Sequence, residues 1–135
     1  KIKRNERLLI IIIALVHDMN HQGKRIVNKP YYQEKKTIQA LEKVIYRKLL
    51  NNKTWKRINR ILLNTYFPIE PEKNNDLVEK IILNADLAGS LIFGFRNGLK
   101  LAEKLKNEIS YKNKSLTLYK GFLEKIETRH LDFFF

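Results

Sequence analysis

Apolar residues recur along this chain at helical spacing almost from end to end. The stretch "LLIIIIALV", Leu8 to Val16, is nine apolar residues without a break and predicts a first helix over about 5–20, buried through this run, with Gly23 as its breaker. After Pro30 a second helix is expected over 32–50, with Ile38, Leu41, Ile45 and Leu49 on one face and Lys36, Lys43 and Arg47 opposite. A third, over 54–67, buries Trp55, Ile58 and Leu62 and turns Lys53, Lys56, Arg57 and Arg60 to the other side. The chain then turns through "PIEPEKNN". In "DLVEKIILNADLAGSL", Asp76 and Glu79 have capping-box spacing at the start of a fourth helix. Its expected inner face is Leu77, Val78, Ile81, Ile82 and Ala85, with Asp86 within or beside that face. A fifth helix is expected over 91–109 with Leu99, Leu101, Ala102 and Leu105, and a sixth from Ser115 with Leu118, Phe122, Leu123 and Ile126.

Composition supports the pattern. With 5 Gly and 3 Pro in 135 residues, the chain reads as an all-α fold of five to six helices and one domain over 1–135. Leu8 to Val16 falls well short of the roughly 20 residues that cross a bilayer, and the His-Asp that follows would be costly in lipid, so no membrane span is expected. Nothing argues for secretion, and a cytoplasmic protein is expected. The net charge of +13 suits an anionic partner such as a nucleotide, a nucleic acid or a membrane surface. The same charge is also what an AT-rich coding bias, rich in Lys, Asn and Ile, produces as plain solvated surface.

Candidate chemistry gathers where the apolar run ends. Only three histidines are present, and His17 and His21 bracket "HDMNH". Neighbours on a regular helix point about 100° apart, so His17 and Asp18 can serve one centre only at a helix end. His21 lies four residues on, on the same helical face, as a ligand, outer partner or proton donor. An ionised Asp86 among apolar neighbours would cost several kcal/mol without a partner or a cation. Without cysteine, a metal would be held by imidazole and carboxylate, a set suited to Mn, Mg, Fe, Zn or Co.

"ALVHDMNHQG" resembles the His-Asp-x-x-His-x-Gly segment of cyclic-nucleotide phosphodiesterases and the wider HD superfamily of metal-dependent phosphohydrolases. "ILNADLAGSL" resembles their later Ala-Asp-Leu segment, while "YYQEKKTIQALE" and "NRILLNT" resemble two intervening stretches in the same order. The likeness covers about Leu8 to Leu91. It implies a compact HD-type helical domain with His17, Asp18 and Asp86 as metal ligands, Asp18 in the place of a carboxylate that can bridge two ions. It also implies His21 as an outer or catalytic histidine, and Glu34 and Thr65 as pocket residues. Lys24 and Arg25, just after Gly23, are candidates for holding the substrate phosphate. The implied reaction is hydrolysis of a phosphoester, of a nucleotide class, by water activated at the metal.

The sequence departs from the pattern in three places. The superfamily draws another histidine ligand from a helix upstream of the His-Asp pair; here none precedes His17, so such a helix would lie before Lys1. Tyr66 stands where the phosphodiesterases have an aspartate, and their clamp for the base of a cyclic nucleotide has no counterpart. Cyclic-nucleotide specificity is therefore not expected. A catalytically incomplete HD fold, binding nucleic acid or protein through the basic faces of the second and third helices, is the alternative expectation.

Overall fold

A computed structural model describes residues 2–19, 29–46, 50–67, 76–88, 91–108 and 112–129. Among these residues the regular structure is entirely helical: α1 (Arg4–Val16), α2 (Tyr32–Leu41), α3 (Asn52–Asn64), α4 (Leu77–Ala88), α5 (Gly94–Glu108) and α6 (Ser115–Arg129). The all-α expectation of up to six helices is met. The chain divides into two compact units, the first holding α1, α2, α3 and the N-terminal half of α4, and the second the rest of α4 with α5 and α6.

The first unit is built on Leu9 and Ile13 of α1, Leu41 of α2, Trp55, Ile58, Ile61 and Leu62 of α3, and Val78 and Ile82 of α4. The third helix follows its predicted face closely. Asn51 caps it, its side-chain oxygen accepting from the Thr54 amide at 2.9 Å. Elsewhere the structure corrects the sequence reading. The run Leu8 to Val16 is not buried throughout. Leu9 and Ile13, one turn apart, face the core, whereas Leu8, Ile11 and Leu15 are exposed. An unbroken apolar run has no periodicity from which a buried face could be chosen.

The second helix ends its α geometry at Leu41 and continues as a π-turn over Glu42–Tyr46. Ahead of that turn Thr37 and Leu41 face the core and Ile38 is only partly covered, while Val44 within it is exposed. The Ile45 side chain and Leu49 lie outside the described residues.

The fourth helix starts where the capping residue says it should. Asp76 accepts from the amides of Val78 at 3.0 Å and Glu79 at 3.4 Å. Its face is rotated from the predicted one, because Leu77 and Ala85 are exposed and Glu79 is buried beside Val78 and Ile82. Glu79 tolerates burial because Arg60 Nε donates to it at 3.0 Å and Asn64 Nδ2 at 2.6 Å. Arg57 and Arg60 are therefore not free solvent-facing cations. Arg57 grips Asp76 through two bonds of 2.6 and 2.7 Å and reaches Glu6 at 3.4 Å, while Arg60 also holds Asp76 at 2.5 Å.

In the second unit α5 packs on α6. Ala102, Tyr119 and Ile126 are buried there, with Leu83 and Leu87 from the end of α4. Tyr119 sits against Phe95 and Phe122, ring centres 5.6 and 6.3 Å away. Leu101 and Leu105, expected inside, are 44% exposed, since the inward positions of α5 are taken by Gly98 and Ala102.

Candidate metal centre

The geometry begins at Arg57. By holding Glu6 of α1 and Asp76 at the head of α4, it sets those two helices level at their N-terminal ends. Arg60 and Asn64 continue the contact to Glu79, so α3 and α4 run in the same direction. His17 and Asp18 stand together at the end of α1 in the first unit, Nε2 to Oδ2 3.4 Å, and Asp86 lies on the part of α4 that belongs to the second unit.

Local structure explains how two sequence neighbours face one point. His17 is the C-terminal cap of α1, its amide still donating to the Ile13 carbonyl at 2.9 Å, and the chain then leaves the helix in a turn through Met19. Imidazole Nδ1 lies 2.8 Å from the Ala14 carbonyl. A carbonyl can only accept, so Nδ1 carries the proton and, in the neutral ring, Nε2 presents its lone pair. That nitrogen is 3.4 Å from Asp18 Oδ2. In a neutral imidazole this sets two lone-pair donors face to face, an arrangement relieved by ring protonation or by a cation between them.

The donor set fits a divalent ion. One imidazole nitrogen and two carboxylate oxygens match Mn, Mg, Fe or Zn and leave positions for water and substrate. Ligands about 2.1 Å from one ion are at most about 4.2 Å apart, a span within which His17 Nε2 and Asp18 Oδ2, at 3.4 Å, already fall. Asp18 has a side chain 70% exposed. Asp86 is exposed rather than buried, which corrects the expectation of a desolvated carboxylate.

The remaining expected site residues divide. His21, Lys24 and Arg25 lie outside the described residues. Glu34 is half-buried in the first turn of α2. Thr65 caps α3 and donates its hydroxyl to the Leu62 carbonyl at 2.7 Å, the behaviour of a helix-end hydroxyl. Tyr66, the departure from the phosphodiesterase pattern, packs on Tyr31 with ring centres 4.8 Å apart.

The periodicity of α3 gave no hint that Arg57 and Arg60 tie α3 to the start of α4. The signal lay in two matching spacings: Arg57 and Arg60 are three apart, as are Asp76 and Glu79, which sets opposite charges at equal one-turn intervals on two helices. Hydrogen bonds from Arg57 hold the Asp76 carboxyl below the usual carboxylate range, and Asp76 in turn raises Arg57. No known protein family, curated protein or solved structure matches this chain, so the site rests on its own residues.

Proposed function

We propose that the chain is a metal-dependent phosphohydrolase that cleaves a phosphoester, of a nucleotide class, at a divalent cation held by His17, Asp18 and Asp86. The observation that carries this reading is the His17–Asp18 pair at the end of α1, with Nε2 3.4 Å from Oδ2, on residues that the HD-like motifs single out together with Asp86. A divalent ion there makes water acidic near neutral pH and offsets negative charge on the phosphoryl oxygens. The chain's own part is orientation. The Ala14 carbonyl orients the His17 ring, and Asp86 is the carboxylate that the later HD-like motif assigns to the same ion. The rival reading, a binding module using the basic faces of α2 and α3, loses Arg57 and Arg60 on α3, which are engaged by Asp76 and Glu79.

The test is hydrolysis of bis-p-nitrophenyl phosphate during a titration with Mn. Metal-dependent turnover is expected, and Asp18→Ala and Asp86→Ala are each expected to lower it by at least a hundredfold, the loss typical when a metal ligand or its support is removed. Absence of metal binding in millimolar Mn, or full turnover by Asp18→Ala, would sink the proposal.

A further inference from the structure

A second group of side chains gathers in the first unit, where α2 begins and α3 ends. Tyr31 precedes α2 and Tyr66 follows α3, and their ring contact sets the start of one helix beside the end of the other. The ammonium groups of Lys29 and Lys36 stand 5.5 and 5.8 Å from the centre of the Tyr32 ring, and that of Lys35 stands 5.7 Å from Tyr31. All three lysines are exposed, and all three tyrosines are partly so. Tyr31 has φ 59°, the one non-glycine residue with positive φ among the described residues. A bulky side chain takes that conformation at a cost, and such positions concentrate where a side chain is being aimed.

Three aromatic faces with three flexible cations beside them are the parts a single nucleic-acid strand requires. Each base offers a planar face to stack, and each link offers a phosphate. The lysines stand near the roughly 6 Å outer limit of a cation–π contact, so each can swing to a phosphate and leave its ring to a base. A duplex hides its base faces and cannot use the rings. We propose that Tyr31, Tyr32 and Tyr66 with Lys29, Lys35 and Lys36 form a binding face for single-stranded nucleic acid. Delivery of that strand's phosphodiesters to His17, Asp18 and Asp86 rests on the hydrolase reading; the binding itself does not.

The test is fluorescence anisotropy with labelled oligo-dT and oligo-U of twelve nucleotides, run in EDTA so that binding is read without metal or turnover. A duplex of equal length, a mononucleotide and phosphatidylglycerol vesicles complete the arms. Binding of the strand is expected to exceed that of the duplex, with Tyr32→Ala weakening it about tenfold. The double variant Lys29→Ala with Lys35→Ala is expected to lower the slope of log affinity against log salt by about 1.4, two single-strand phosphates. Lys104→Ala with Lys120→Ala, on α5 and α6, is the control and should leave binding unchanged, and circular dichroism checks that each variant stays helical. Equal loss in that control, equal binding of duplex, full competition by the mononucleotide, or vesicle binding that depends on the same tyrosines each overturns the proposal. Strand binding in EDTA with no hydrolysis of either the strand or bis-p-nitrophenyl phosphate in Mn would retire the enzyme reading and leave this one standing.

Discussion

Asp76 serves two helices at once. It caps α4 through the Val78 and Glu79 amides and takes both arginines of α3, so one substitution removes a helix cap and an ion-pair hub. Its side chain is only 9% exposed, while Arg57 and Arg60 are 31% and 42% exposed, so solvent screens part of each pair. Asp76→Ala is therefore expected to cost about 2–4 kcal/mol at pH 7 in urea unfolding, a cap plus a partly screened pair. The pH dependence has a definite sign. Hydrogen bonds from Arg57 place the folded pKa of Asp76 below its ordinary 3.8. A carboxylate lowered in this way contributes stability above its unfolded value and loses it as pH falls through the folded one. The gap between wild type and Asp76→Ala should thus be constant from pH 7 to about 5 and shrink as the pH is taken below 4. A gap that widens in acid would contradict the pairing.

At the scale of the helix, α1 separates two residues that look alike in sequence. Ile13 is fully buried, and Leu15, two positions on, is 75% exposed. Ile13→Ala should cost about 2–5 kcal/mol, whereas Leu15→Gln should stay within about 0.5 kcal/mol, both read from urea midpoints at unchanged slope. Equal costs would mean that both faces of α1 are covered. The contrast also shows what was legible beforehand. In α3 polar and apolar residues alternate at 3.6, so Trp55, Ile58 and Leu62 could be assigned inward from their order alone. In α1 every position is apolar, and the sequence has no way to mark a face. In α4 the inward position of Glu79 depends on Arg60 and Asn64 of another helix, and no reading of α4 by itself contains them. The π-turn after Leu41 shifted the second helix for a similar reason, since its phase is visible only in the backbone. The metal ligands were readable as motifs, because His17 and Asp18 end an apolar run and Asp86 follows a second one.

For the whole molecule, charge and metal act in opposite directions. The Arg57 network joins two cations to three carboxylates, so the +13 of the chain is concentrated outside it and repels itself across the remaining surface. In the proposed reading Asp18 and Asp86 share one cation, which only the folded chain can bind. Metal binding should consequently appear as folding stability. A ligand that binds only the native chain adds about 2.7 kcal/mol when present at a hundred times its dissociation constant. Thermal unfolding in Mn should therefore shift upward with metal concentration along that logarithmic law, and EDTA should reverse the shift. Asp86→Asn removes one charge without changing side-chain volume. It is expected to flatten the dependence on metal. A metal-independent melt in the wild type, or an undiminished metal response in Asp86→Asn, would show that Asp18 and Asp86 do not share an ion.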